Sequence, residues 1–515
     1  MLNAVSPQLP DWLTHCAETM PEHLAIQCGS SNWSFAELAR QVEKLAGQLA
    51  TIGVVENSRV ALLAPNGLVY VAFVHALTRL GAILVPLNTR LTTEELHWQL
   101  NDVHAILLVS EVSMLERART IVATGIALPL ATMHTTLSSA ETSLVNLSSP
   151  DGEPYTSREV EKRPLIDLDA TQVIMYTSGT TGHPKGVLIT YGMQWWNAIG
   201  SALNLGHDPQ DCWLACLPLF HIGGLSILMR SVIYGIRVVL LEKFDEVMVN
   251  RAIRQDGVTI ISVVAVMLQR MLTALDHEGE ATRYPSTLRC ALLGGGPAPR
   301  PLLEKCASKA IPVAQTYGLT ESCSQAVTLA PADALRKLGS AGRPLLPVQL
   351  QIMDESSLLP TNKPGVIYLK GPTITPGYAD HPEATAWAFS NGWFSTGDIG
   401  YLDEDGYLYV LDRRSDLIIS GGENIYPAEV ESALLTHPAV AEAGVCGRDD
   451  PQWGQVPIAF IKLYPDSSAT SSALLEHVRQ RLARYKVPHA LYFVQELPRN
   501  SSGKLLRREL PMLLQ

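Results

Sequence analysis

The chain contains no run of about 18 uninterrupted apolar residues, the length a membrane-spanning helix needs. Its most apolar regions, 60–87 and 222–241, are broken by Asn66, His75 and Arg79, and by Arg230 and Arg237. The N-terminus lacks a basic stretch followed by an apolar one, so no secretory signal is expected. Positive charge is in short supply. With 39 Lys and Arg against 50 Asp and Glu, the net charge is -11. That balance argues against nucleic acid as a partner and requires any polyphosphate ligand to be held by local groups. Cysteine is sparse and scattered: of the 8, the closest pair is Cys212 and Cys216. No Cys or His set lies near that pair to complete a zinc site. The cysteines read as buried thiols in a reducing compartment, and a cytoplasmic location is expected. Charged residues make up only 17% of the chain against 47% hydrophobic, which excludes disorder and describes a well-cored protein. At 515 residues it should divide into two or more domains.

The stretch 176–186, Y-T-S-G-T-T-G-H-P-K-G, also lacks both common nucleotide fingerprints. Lys185 sits between Pro184 and Gly186, which a Walker loop does not allow, and Gly179 and Gly182 do not satisfy G-x-G-x-x-G. What the stretch does hold is concentrated phosphate chemistry. The apolar run 173–175 leads into it as a strand would. Gly179 and Gly182 permit a tight turn, Thr177, Ser178, Thr180 and Thr181 supply hydroxyls, and Lys185 supplies a cation. Backbone N–H groups, hydroxyls and one ammonium in so short a loop make a phosphate cradle.

Before it, the pattern alternates. Ser34 and Glu37 form a capping box for a helix running to Gly53. Strands follow at 59–64, 83–87 and 105–109, with helices at 66–80 and after the Thr92–Glu95 box. Such alternation implies parallel sheet covered by helices, an α/β fold. The segment 135–163, rich in Ser, Thr and Glu, reads as a surface connection. Alternation resumes after the loop through residue 293, and from 365 short strands and turns mark a β-rich part. The charged break at 412–416 is the expected domain boundary, giving a large domain over 1–414 and a small α+β domain over 415–515. In the latter we expect helices at 428–435 and 473–485 and strands at 440–445, 458–463 and 491–494.

Five further stretches carry chemistry. His221, Gly223 and Gly224 precede an apolar helix over 225–234. A lone histidine there is more often a core group than a functional one. Gly294, Gly295 and Gly296 end a strand, where absent side chains let a flat ligand approach the backbone. In 315–321 (Q-T-Y-G-L-T-E) a ring, a hydroxyl and a carboxylate meet around Gly318; Tyr317 could stack a base, Thr320 bind a phosphate oxygen and Glu321 hold magnesium. Asp398, in T-G-D, is suited to chelating two ribose hydroxyls. Near the end, 498–504 presents Lys504 on a loop.

These loops, in this order, resemble the adenylate-forming superfamily of acyl-CoA ligases, luciferases and peptide-synthetase adenylation domains, over essentially the whole chain. Within it the likeness is closest to the 2-succinylbenzoate–CoA ligases of menaquinone and phylloquinone synthesis. That narrower likeness rests on 220–230 (F-H-I-G-G-L-S-I-L-M-R), 294–301 (G-G-G-P-A-P-R-P) and 415–427 (S-D-L-I-I-S-G-G-E-N-I-Y-P). The resemblance implies ATP, Mg2+ and coenzyme A as cofactor and co-substrates and a small-molecule carboxylic acid as substrate. It implies that Lys504 bridges the carboxylate and α-phosphate, that the 177–185 loop holds the departing phosphates, and that Glu321 places the metal. Asp398 and Arg413 would take the ribose, Gly294 to Gly296 with Tyr317 and Gly318 the adenine, and Thr320 the α-phosphate. It further implies a small domain that swings about Ser415, where many relatives carry Asp or Lys; Asp416 adjoins it. After the swing Gly421 and Gly422 would leave room for the pantetheine arm.

For substrate contact the residues offer His221, Gly223 and Ser226, with Arg230 one turn beyond as a possible cation for a second carboxylate. Arg230 could equally snorkel to the surface. The bulky 227–229 segment suggests a short closed pocket. Alternatives are another aryl- or medium-chain acyl-CoA ligase, or an inactive nucleotide-binding module, against which both Lys185 and Lys504 count. A peptide-synthetase domain is disfavoured because no carrier domain follows Gln515. The oligomeric state is left open, a homo-oligomer included.

Overall fold

Strand and helix alternate as the first two hundred residues suggest, and they build a seven-stranded sheet in the order Lys185–Thr190, Thr171–Thr177, Ile83–Pro86, Arg59–Leu63, Leu107–Glu111, Leu130–Leu137, Ser143–Ser148. The computed structural model describes residues 7–123, 125, 127–137, 143–161, 163–177, 184–279, 282–296, 298–354, 357–413, 416–420, 423–450, 453–482, 484–499 and 505–514. Both capping boxes form: Ser34 and Glu37 open the helix Phe35–Thr51, and Thr92 and Glu95 open Thr93–Asp102. Each satisfies two backbone donors that a helix start otherwise leaves open.

The sheets are mixed rather than purely parallel. In the seven-stranded sheet both ends turn antiparallel, Thr171–Thr177 with Lys185–Thr190 and Leu130–Leu137 with Ser143–Ser148. The second of these pairs corrects the reading of 135–163 as mere surface connection. Its signal is diluted because polar residues are frequent on both strands: Thr135 and Thr136 are exposed, Asn146 is half-buried between Val145 and Leu147, and Thr132, Ser143 and Ser148 are themselves buried.

A second sheet of nine strands carries a parallel centre: Val313–Tyr317, Cys290–Gly294, Ile260–Val264, Cys212–Ala215, Arg237–Leu240 and Leu24–Cys28 are consecutive neighbours. Helices Leu68–Leu80 and Ile222–Tyr234 contribute to the largest apolar core together with residues of both sheets. The central strands are buried, as sheet covered on both faces must be.

The β-rich part starts earlier than residue 365. Its six-stranded sheet includes Gln349–Asp354 and Ser357–Leu358 besides Gly365–Lys370, Phe389–Ser390, Trp393–Leu402 and Leu408–Arg413. The C-terminal hundred residues form a separate five-stranded sheet with its own apolar cluster around Ile418, Val430, Val445, Ile461 and Leu474. Helix Ser471–Arg479 is shorter than the sequence suggests and is followed by a 3-10 turn, Arg484–Lys486. Among the described residues no helix is long and apolar enough to cross a membrane.

Candidate active site

The carboxyl ends of the parallel strands define one edge of the nine-stranded sheet, the edge at which open α/β sheets bind ligands. Gly294 closes the strand Cys290–Gly294, beside Val264 at the end of its neighbour. Gly295 has φ +80°, which favours glycine, and a Cβ there would sit 3.1 Å from Val264 Cγ1, a tight contact. Gly296 has open space around it. The next parallel strand ends at Tyr317. A Cβ on the following Gly318 would lie 1.5 Å from the carbonyl oxygen of Ser324. The backbone folds back on itself there, with Cys323 and Ser324 at φ +55° and +88°. This tight return places Thr320 and Glu321 on a 3-10 turn, Thr320–Ser322.

Two features hold the turn. Leu319 N donates to Ser322 Oγ at 2.9 Å, and buried Asn197 Nδ2 donates to the carbonyl of Gln325 at 2.8 Å. The Tyr317 hydroxyl donates to Asp398 Oδ2 at 2.7 Å. Asp398 is 5% exposed and lies opposite Arg413 in the antiparallel pair Trp393–Leu402 with Leu408–Arg413. Four separate sequence motifs thus come together: the triple glycine, the 315–321 turn, Asp398 and the Arg413 backbone.

Thr177 and Lys185 face one another as the last register pair of two antiparallel strands, one on each side of residues 178–183. Ser178, Gly179, Thr180 and Thr181 lie outside the described residues, as do Gly421, Gly422, Ser415 and Lys504. Lys185 Nζ stands 5.4 Å above the ring of Tyr378, and the Tyr378 hydroxyl reaches Glu321 Oε1 at 3.1 Å. At the loop's other flank the Tyr176 hydroxyl donates to Asp102 Oδ2 at 2.6 Å, and the His381 ring lies 3.1 Å from Asp102 Oδ1.

His221 is the N-terminal cap of the helix Ile222–Tyr234, which begins three residues earlier than expected. Gly224 is the sterically constrained glycine: a Cβ would meet Pro218 O at 2.3 Å, whereas one at Gly223 would touch only Leu217, at 3.6 Å. The buried His221 Nε2 and Ser226 Oγ have no hydrogen-bond partner among the described residues. Burial, with the charge of Arg90 adding to it, pushes the His221 imidazole down to about 4.

Arg230 does not snorkel. It is 2% exposed, donates to Asn197 Oδ1 at 2.7 Å and lies over the Trp213 ring at 5.0 Å. Its Nε has no hydrogen-bond partner among the described residues. Burial pushes the pKa of its guanidinium below the usual value. An interior guanidinium kept by one amide, one indole face and the nearby Tyr234 hydroxyl is a costly feature unless further polar contacts complete it.

Asn197, Tyr378, Asp102 and His381 escaped sequence reasoning. Asn197 joins Arg230 to the loop carrying Thr320 and Glu321, and Tyr378 joins Lys185 to Glu321. These contacts span 33 to 128 positions wherever a hydrogen bond makes them, and no short motif announces such pairs. Magnesium takes hard oxygen donors, usually one or two carboxylates with substrate phosphates. Glu321 beside a triphosphate fits that set. Among the described residues no cluster of three or more His, Cys, Asp and Glu could hold a metal by itself.

In the small domain, Asp416 accepts from Arg507 at 3.1 Å, and Arg507 also forms a two-point contact with Glu431. Asp416 is therefore tied to the C-terminal unit.

The profile of the AMP-binding enzymes matches residues 13–379, and that of the AMP-binding enzyme C-terminal domain matches 429–504. A 2–succinylbenzoate–CoA ligase of Geobacillus kaustophilus (strain HTA426) is 52% identical over 506 residues, 98% of each chain. The o-succinylbenzoate CoA synthetase (MenE) of Bacillus subtilis, solved in complex with the acyl-adenylate intermediate OSB-AMP, superposes with a TM-score of 0.88 at 43% identity, covering 98% of each chain. The same enzyme in complex with ATP and magnesium ion gives 0.88 at 43% identity, covering 98% of this chain and 100% of that one. Fold, motif order and full-length similarity agree: the chain belongs to the AMP-binding, adenylate-forming enzyme family.

Proposed function

We propose that the chain is an AMP-forming acid–thiol ligase that converts 2-succinylbenzoate, ATP and coenzyme A into the CoA thioester, AMP and pyrophosphate, as in menaquinone or phylloquinone synthesis. The observation that carries the substrate assignment is the buried polar set on one helix. Ser226 Oγ and Arg230 Nε, one turn apart, are both unpartnered among the described residues, and residues four apart share a helix face. An aromatic carboxylate left unpaired in an apolar pocket would cost several kcal/mol. A guanidinium and a hydroxyl with bonding capacity to spare supply what it needs.

The reaction proceeds in two steps. A carboxylate oxygen attacks the α-phosphorus of ATP, the bond to pyrophosphate breaks, and an acyl-adenylate forms. The CoA sulfur then attacks the acyl carbonyl, the bond to AMP breaks, and the thiol proton is released. The first step brings two anions together, so positioned cations and donors do most of the work. We assign Lys504 to the carboxylate and α-phosphate, Thr320 to the α-phosphate, and Thr177 with Ser178, Gly179, Thr180, Thr181 and Lys185 to the leaving phosphates. Glu321 holds Mg2+, which supplies charge neutralisation when bound. Gly294, Gly295, Gly296, Tyr317 and Gly318 take adenine, and Asp398 and Arg413 take the ribose. His221, kept neutral by burial, lines the acid pocket with Gly223 and Ser226.

The domain boundary belongs between 414 and 415, a placement supported by the grip of Arg507 on Asp416. The small domain turns there between steps, bringing Gly421 and Gly422 to the pantetheine path. Eight unpaired cysteines favour a cytoplasmic setting. The test is release of AMP and pyrophosphate with 2-succinylbenzoate, benzoate and octanoate in turn. Preference for 2-succinylbenzoate is expected. Equal use of benzoate or octanoate would leave only a general acyl-CoA ligase.

A further inference from the structure

We infer that Tyr378 is a positioning residue that sets Glu321 for the metal through its hydroxyl and restrains Lys185 through its ring, an inference that rests on the nucleotide site proposed above. The starting point is backbone. Leu188 N donates to Gly377 O at 3.1 Å, Ala379 N donates to Gly186 O at 2.8 Å, and Val187 bridges Tyr378. Residues 377–379 therefore run antiparallel along the strand Lys185–Thr190, which leaves the phosphate loop. The same segment grips the metal carboxylate's own backbone, because Thr375 N donates to Glu321 O at 2.8 Å.

Tyr378 is locked between these two anchors. Its N–H donates to Thr385 Oγ1 at 3.0 Å, and a Cβ on the preceding Gly377, at φ +149°, would lie 2.5 Å from Thr385 Cγ2. From that fixed point the phenol donates to Glu321 Oε1 at 3.1 Å, and the ring face lies 5.4 Å from Lys185 Nζ. A carboxylate on a short turn has rotational freedom that a metal ligand must lose. A phenol bonded to one oxygen removes it, which is how groups behind a metal ligand tune affinity. The ring face attracts the ammonium and narrows its range. One residue thereby ties together the cation and the anion that must meet the triphosphate.

The two contacts can be removed separately. Tyr378→Phe deletes only the hydroxyl; Tyr378→Leu deletes ring and hydroxyl while leaving the backbone anchors. For Tyr378→Phe, the Mg2+ concentration for half-maximal adenylation should rise about tenfold. The Kd for ATP measured by calorimetry in EDTA should be unchanged. Tyr378→Leu should weaken metal-free ATP binding as well, by about two- to fivefold, the size of an exposed cation–π contact. In a Glu321→Gln background Tyr378→Phe should have no further effect on the Mg2+ requirement, since the two act as one unit. A Tyr378→Phe enzyme with the wild-type Mg2+ requirement overturns the inference, as does an undiminished effect in the Glu321→Gln background. If the wild-type protein itself binds no ATP with Mg2+ by calorimetry, it is the proposed function that fails.

Discussion

The nucleotide side and the acid side of the site, as proposed above, are built in opposite ways. On the nucleotide side polar groups already engage each other: Tyr317 with Asp398, Tyr378 with Glu321, Leu319 with Ser322. On the acid side His221 Nε2, Ser226 Oγ and Arg230 Nε are buried without partners among the described residues. An internally bonded site is pre-organised and needs little from its ligand to take shape. A site with unmet buried donors and acceptors discriminates strongly, because a ligand lacking the complementary groups leaves them unpaired. The nucleotide is common to the whole family, whereas the acid distinguishes its members.

The largest expected effect tests the division of labour between domains. Lys504→Ala should cost about two to three powers of ten in adenylation rate while leaving thioester formation from supplied acyl-adenylate largely intact. Pyrophosphate release and thioester formation, assayed separately, decide it; a wild-type adenylation rate removes Lys504 from the mechanism.

Arg230→Met tests the acid side. Discrimination for 2-succinylbenzoate over benzoate should fall by about 10- to 100-fold, the scale of losing a charged hydrogen bond of about 1.5–3 kcal/mol. The KM for ATP should change far less. Because Asn197 Oδ1 would lose its Arg230 donor, a thermal scan is needed beside the kinetics, and Arg230→Lys serves as the variant that keeps the charge.

Tyr317→Phe should show the reverse selectivity. Releasing Asp398 should raise the KM for ATP by roughly fivefold, the worth of about 1 kcal/mol of hydrogen bond, with the KM for the acid unaltered. If the acid KM rises in parallel, the two sides are not separable.

The smallest effect is on stability against pH. His75 and His221 both sit near 4 in the folded chain against an ordinary 6.5, chiefly through burial. Their folded values are depressed, so the unfolded chain takes up protons first as pH falls. The neutral forms' contribution is complete above about 6.5 and is lost progressively toward 4, about 3 kcal/mol for the buried His75 and less for the half-buried His221. His75→Gln should flatten the loss between pH 6 and 4.5 in urea titrations. His221, neutral above pH 5, should contribute no break to the activity profile between 5.5 and 8.

Local chemistry was legible in the sequence wherever one short stretch fixes it. The Ser34–Glu37 and Thr92–Glu95 boxes formed as written, and the triple glycine does end a strand at the ligand edge. Contacts between distant stretches were not legible. Nothing near Tyr317 says that its hydroxyl will meet Asp398, 81 positions on. Arg230 was open to two readings because a helix pattern gives the face of a residue but not what lies across from it; Asn197 and Trp213 supplied the answer. The strands Leu130–Leu137 and Ser143–Ser148 were missed because their outward polar residues mimic a loop.

The burial of the cysteines has a consequence of its own. All eight are unpaired, seven are fully buried, and burial raises every thiol above its ordinary value, five of them to about 12 and two to about 11. Exchange between a thiol and a disulfide requires an accessible thiolate. On the proposed reaction this protein works beside coenzyme A, a free thiol whose oxidised dimer is a disulfide reagent. With seven of its sulfurs buried and the eighth, the half-buried Cys28, held protonated, the chain is poorly disposed to be covalently captured by that substrate through cycles of oxidation.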